Sequence, residues 1–233
     1  MPIDGVAAVL ILACLGAAGP TWSRVPDPFV AQTAPLVIAL QVTPSMKSAD
    51  LAPSRLERAK QKIRDLLALR AGARSALVAY AGMPHAEVPM TEEPNVVQPY
   101  LEGLQVDVMP RQGNAAGKAL ELAHAILERE SAPGGILMVS DDIAQSAVAA
   151  LNDTQGTSLA VLAMLPEGVG SRGIDQLTIP VQQVSVDDAD IVALDRLLSA
   201  AYRRALAEKS DQPWDDRGWL LAWPAALLGL FWF

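Results

Sequence analysis

The stretch "VIALQVTPSM" (Val37 to Met46) passes from an apolar run into a loop with a hydroxyl at every second position, Thr43 and then Ser45. Alternate residues of an extended chain project to one side, so these two oxygens can face one target. Paired oxygen donors suit a hard divalent cation such as Mg2+, which prefers octahedral oxygen coordination at about 2.1 Å and keeps waters anchored by carboxylates. The position where a carboxylate is expected holds Gln41, which brings no charge. Other candidate chemistry is thin. His85 and His124 are the only histidines, and no motif sets either beside a nucleophile. Ser140 precedes Asp141, but no G-x-S-x-G elbow surrounds it. "GVGSRG" (168–173) lacks the strand-to-helix setting of a phosphate loop and reads as a flexible turn. Asp187, Asp188 and Asp190 read as the acidic start of a helix.

Such loops need a scaffold, and the chain between residues 34 and 208 supplies one. "APLVIALQV" (34–42), "GGILMVS" (134–140) and "SLAVLAML" (158–165) are continuous apolar runs of strand length, the pattern of strands covered on both faces. "SALVAYAG" (75–82) and "HAEVPM" (85–90) read as a tight antiparallel pair, and "IPVQQVSV" (179–186) as a weaker strand. Helical spacing of Leu56, Ala59, Ile63, Leu66 and Leu67 predicts a helix, entered through Pro53 and a capping box of Ser54 and Glu57. Further helices are predicted over 94–104, 114–130 and 187–208. Alternating strands and helices imply a doubly wound, mostly parallel α/β sheet flanked by helices. Ligands of such sheets bind outside the carboxyl ends of the strands, which singles out the loops 41–46, 111–115 and 140–144.

Charge and cysteine content remove whole classes. A net charge of −8 with no basic stripe excludes a nucleic-acid binder. The lone Cys14 lies inside an apolar run, so neither an intrachain disulfide nor a thiolate metal site can form. Apolar residues concentrate at the two ends. Gly5 to Trp22 carries no charge and as a helix would span about 27 Å. Gly218 to Phe233 is similar and stops without a polar flank, as a span cut short would. We therefore expect transmembrane helices over 1–23 and 218–233, with linkers at 24–33 and 209–217.

The order and spacing of "VIALQVTPSM", "LAPSRLERAKQKIRDLL", "ALVAYAG", "VPMTEE", "QGNAAGKALELA" and "ILMVSDD" resemble a von Willebrand factor type A (VWA) domain. The likeness is strongest to the membrane-anchored VWA proteins of the bacterial aerotolerance operon (Bat type, BatB-like) and covers residues 34 to 165 well. In that family the loops build a metal-ion-dependent adhesion site. Position by position, the resemblance implies Gln41 in place of the metal-binding Asp, Thr43 and Ser45 for the two serines, Asn114 for the Thr, and Asp141 for the second Asp. Asp142 fills the small-residue position that follows. With one assured carboxylate left, the expectation is a degenerate metal site at Thr43, Ser45, Asn114 and Asp141 that holds Mg2+ or Mn2+ weakly or not at all, and that Gln41→Asp partly restores.

Two functions stay open. The first is a protein-interaction module in an envelope complex, not an enzyme. The resemblance implies sibling VWA proteins and a MoxR-type AAA+ ATPase as partners, and membrane lipid around the terminal helices. The alternative is a metal-dependent hydrolase using the acidic strand-edge loops, although water activation normally asks for several carboxylates or histidines. The resemblance places the chain in the bacterial inner membrane with the VWA domain in the periplasm. Arg24, Arg203, Arg204, Lys209 and Arg217, counted by the positive-inside rule, favour the cytoplasmic side instead.

Overall fold

The computed structural model describes residues 21–24, 33–130, 133–153, 157–209 and 214–216, together with single positions at 7, 11, 14, 15, 223, 224, 226 and 227. The chain divides into two compact units, Ala31–Lys209 and a second made of Met1–Val30 with Ser210–Phe233. In the second unit, β1 (Thr21–Arg24) pairs antiparallel with β8 (Trp214–Asp216). Thr21, Trp22 and Trp214 are β-branched or aromatic and suit a strand, so these stretches, expected to end a helix and to form linkers, make a short ribbon. The remainder of the expected terminal helices falls mostly outside the described residues. Among the described residues no helix is long and apolar enough to cross a membrane.

In the larger unit the elements run β2 (Leu36–Gln41), α1 (Arg55–Leu69), β3 (Ser75–Tyr80), β4 (Pro84–Thr91), α2 (Pro94–Gly103), α3 (Ala116–Leu127), β5 (Gly135–Ser140), α4 (Gln145–Asn152), β6 (Ser158–Ala163), β7 (Val181–Gln183) and α5 (Ala189–Lys209). The sheet order is β4-β3-β2-β5-β6-β7, with β4 antiparallel and the rest parallel. The chain winds from β2 outward through β3 and β4, then crosses to the other side of β2 at β5. That reversal is the topological switch point, and it lies at the carboxyl ends of β2 and β5.

The apolar runs become strands because both faces of the sheet are covered. Leu36, Ile38 and Leu40 point into one core with α1, α2 and α5, while Val37 and Ala39 point into the other with α3 and α4. At about 1.5–3 kcal/mol for each fully buried large side chain, the two layers dominate the stability of the unit. The expected cap holds: Ser54 Oγ accepts from the Glu57 backbone N–H at 3.2 Å. The helix expected from residue 114 starts at Ala116, because Asn114 is drawn off to the sheet edge. Helix α4 was not anticipated. Its buried Ala147, Val148 and Leu151 have helical spacing, but the stretch is short and bounded by small residues.

Both ends of this unit lie on the side opposite those carboxyl ends. The Arg70 guanidinium, just past α1, donates to Ala34 O at 2.6 Å and pairs with Asp195 of α5 at 2.7 Å. Farther along, Leu197, Leu198, Ala201 and Arg204 of α5 flank Thr157 and Ser158 where β6 begins.

Candidate functional site

The site grows from the last residue of β2. Gln41 is buried, and its Oε1 accepts the backbone N–H of Asp141 at 3.1 Å and of Asp142 at 3.5 Å, tying the end of β2 to the loop after β5. Its Nε2 donates to Thr43 Oγ1 at 2.9 Å. Thr43 Oγ1 lies 2.8 Å from Ser45 Oγ, and Ser45 Oγ donates to Asp141 Oδ1 at 3.1 Å. Each hydroxyl carries one proton. With the Ser45 proton committed to the carboxylate, the Thr43 proton must go to Ser45, so the relay points one way, from amide to hydroxyl to hydroxyl to carboxylate.

The second carboxylate oxygen of Asp141 meets a residue that the loops alone do not reveal. Arg55, the first residue of α1, donates from Nη1 to Asp141 Oδ2 at 2.9 Å. Its Nε and Nη2 grip both oxygens of Asp50, the former at 2.9 Å. Asp141 is 1% exposed and the arginine 14%. These hydrogen bonds to Arg55 hold the Asp50 carboxyl below its ordinary range, and those to Asp50 and then Asp141 raise the guanidinium. A cation in the first turn of a helix opposes the helix dipole. That local misfit was the available signal that Arg55 has tertiary partners.

Asn114 reaches the same edge without joining the relay. Its Nδ2 donates to Asp142 O at 3.0 Å, while its Oδ1 is buried without a partner. Glycines permit this approach: a Cβ on Gly82 would collide with Gln112 O, and Gly113 sits at φ +142 against Gly82. The "GVGSRG" segment, expected to be a flexible turn, is a fourth loop of the rim. Ser171 donates to the Asp142 carboxylate, and Gly173 packs on the backbone of Ile143. Thr43, Ser45 and Asp141 are thus brought into direct contact, Asn114 stands one residue away, Asp50, a candidate substitute carboxylate from the sequence, is paired with Arg55, and Arg55 and Ser171 were missed. His124 faces Thr157 across 3.5 Å, and His85 lies on the edge strand β4.

A family model of the von Willebrand factor type A domain matches residues 36–144. Residues 36–144 are thus similar to a VWA domain. The chain is similar in fold to BatB from Bacteroides thetaiotaomicron, with a TM-score of 0.63 and 22% identity over 73% of this chain and 99% of that one. An aerotolerance-related membrane protein from Bacteroides fragilis aligns with a TM-score of 0.58 and 21% identity, covering 73% and 99%. A von Willebrand factor type A protein from Catenulispora acidiphila gives 0.50 and 16%, covering 73% and 43%. No curated protein matches the chain.

The VWA fold implies a divalent cation at this rim, and the donor set fits one poorly. Among the described residues no group of three or more His, Cys, Asp or Glu converges as a metal site. Asp141, the assured carboxylate, already serves Ser45 and Arg55. At an effective dielectric of about 20, a divalent ion about 5 Å from a guanidinium is opposed by roughly 7 kcal/mol. A millimolar dissociation constant represents only about 4 kcal/mol, so a repulsion of that size removes much of what the carboxylates would supply to a weak ion.

The Arg55–Asp50 pair makes a pH prediction. Because the folded-state pKa of Asp50 lies below 3.8, the pair contributes stability above pH 3.8 that is lost as the pH falls through the lower folded value. The wild-type urea midpoint should therefore drop in acid below pH 3.8, and Asp50→Asn should flatten part of that fall. Superimposable acid limbs would show that the pair contributes no linkage.

Proposed function

We propose that this chain is a protein-interaction module of the Bat type, with hydrophobic termini that tether it to the bacterial inner membrane and a VWA domain that presents its strand-edge loops to a protein in an envelope complex. The observation that carries this reading is the joining of four loops into one polar surface at the switch point, through Gln41, Asp141, Asn114 and Ser171. Gln41, Thr43, Ser45, Asp141 and Arg55 are spent on one another. A hydrolase would need a carboxylate or histidine free to activate water, and Asp141 is held on both oxygens. We take the site to be degenerate toward Mg2+ and Mn2+. Sibling VWA proteins and a MoxR-type ATPase are the partner classes that the resemblance offers, and we assign the domain to the periplasm on the same ground.

The test is site-specific photocrosslinking of the full chain in native membranes. A crosslinker at Gln112 on the rim should give a discrete adduct that Ser45→Arg abolishes. One at Leu69, exposed at the far end of α1, should not give it. Equal labelling from both ends of the domain, or none from the rim, would sink the proposal.

A further inference from the structure

We propose that Arg55 is the built-in cation of this rim: its guanidinium occupies the position between Asp141 and Asp50 that would otherwise need an ion, so the loops keep one arrangement whatever divalent cation is present. The inference deepens the reading of the rim as a docking surface and rests on it only for its biological meaning, since the chemistry is internal to the chain.

Four observations carry it. The guanidinium bridges two carboxylates from different loops, forked onto Asp50 and single-donor to Asp141. A bridge of that kind is the organising task of a divalent ion, carried out here by a planar cation that suits carboxylates in pairs. Arg55 also stands where a helix ordinarily rejects positive charge, so its location is accounted for by the carboxylates and not by the helix. The hydroxyl relay ends on Asp141, which commits the Ser45 proton to the carboxylate and one Ser45 lone pair to Thr43, so the carboxylate and the hydroxyls satisfy one another without an ion. Finally, Gln41 does with one neutral side chain what an Asp could not: it accepts from two backbone N–H groups and also donates to Thr43. A carboxylate there would have no proton for Thr43 and would put a further negative charge beside Asp141.

Consequently, Gln41→Asp by itself should not recreate a metal centre, contrary to what the loop sequence alone suggests. The added carboxylate supplies charge, but Arg55 still holds Asp141. Arg55 acts here as a positioning residue, through Asp141 and Asp50.

The experiment titrates Mn2+ into the purified full chain, following free Mn2+ by electron paramagnetic resonance, for wild type, Gln41→Asp, Arg55→Gln and the double variant. Wild type and Gln41→Asp should leave millimolar Mn2+ free, whereas the double variant should bind it at least about tenfold more tightly than Gln41→Asp does. The melting temperature of the double variant should rise with Mn2+, and that of wild type should be the same in Mn2+ and in EDTA. Binding by Gln41→Asp equal to that of the double variant overturns the proposal, as does tight binding by wild type or a folded double variant that binds no better. Should the double variant not fold, Gln41→Asp in the Arg55 background decides alone, because binding there shows that the arginine is no barrier. Absence of a Gln112 adduct in the otherwise wild-type chain would refute the docking surface and leave these titrations unchanged.

Discussion

Asp190→Ala should lower the unfolding free energy by about 3–5 kcal/mol, among the larger effects of any single substitution in the domain. Lys62 and Asp190 form an ion pair at 2.7 Å with side chains only 3% and 0% exposed. Asp190 also accepts the backbone N–H groups of Ser185 at 3.0 Å and Ile191 at 2.8 Å, and Lys62 donates to Asp187 O. Every polar atom of the pair thus has a partner. Removing the carboxylate strands an ammonium inside protein, where the uncompensated charge costs far more than the pair contributes. Urea unfolding of the variant should show the loss, with melting lowered by roughly 10 °C for a domain of this size. The diagnostic is the companion Lys62→Met/Asp190→Leu, which removes both charges together and should regain most of the stability. If the single and paired changes are equally damaging, packing and not stranded charge is responsible. The acidic cluster read from sequence as a helix start accordingly divides: Asp187 accepts from Ala189 N in that capacity, while Asp190 is a buried counter-ion.

Gly173→Ala should cost about 3 kcal/mol, at the upper end of what an added methyl exacts in a packed setting. The backbone of Gly173 is ordinary and right-handed. What excludes a side chain is contact: its Cβ would run into the carbonyl of Ile143, and backbone cannot swing aside. The loop that carries Ser171 would have to lift off Asp142. Trypsin should then cut after Arg172 much faster in the variant than in wild type, alongside a lower melting temperature. Gly168→Ala serves as the control, since its φ of +79 is strained but nothing lies within 4 Å of the added methyl. It should cost only about 1 kcal/mol and leave the cleavage rate near wild type. Equal sensitivity at the two glycines would mean that the loop does not rest on Ile143.

The comparison of sequence with structure divides along the range of the forces involved. Strands β2, β5 and β6 were legible because burial on both faces demands unbroken apolar runs, and α1 because its stripe and its Ser54 cap are local. Thr43, Ser45 and Asp141 could be placed at one edge because strand order and loop position follow from the same pattern. Arg55 could not be read as part of the site. Its role depends on two carboxylates, one 86 positions away, and the only hint was a positive charge at the wrong end of a helix. Ser171 and Gly173 were hidden differently, because a glycine kept for close approach looks in sequence like a glycine kept for freedom. Asn114 was expected to open a helix and instead spends its amide across the sheet edge.

The placement of both ends of the Ala31–Lys209 unit on the side away from the rim, where Arg70 clasps Ala34 and Asp195, has an architectural consequence. A body held by its base from both directions can be unplugged from one pair of flanking sequences and spliced into another without rerouting the polypeptide over its working face. Recombination or gene fusion can therefore change what this domain is mounted on while leaving untouched what it offers at the other end.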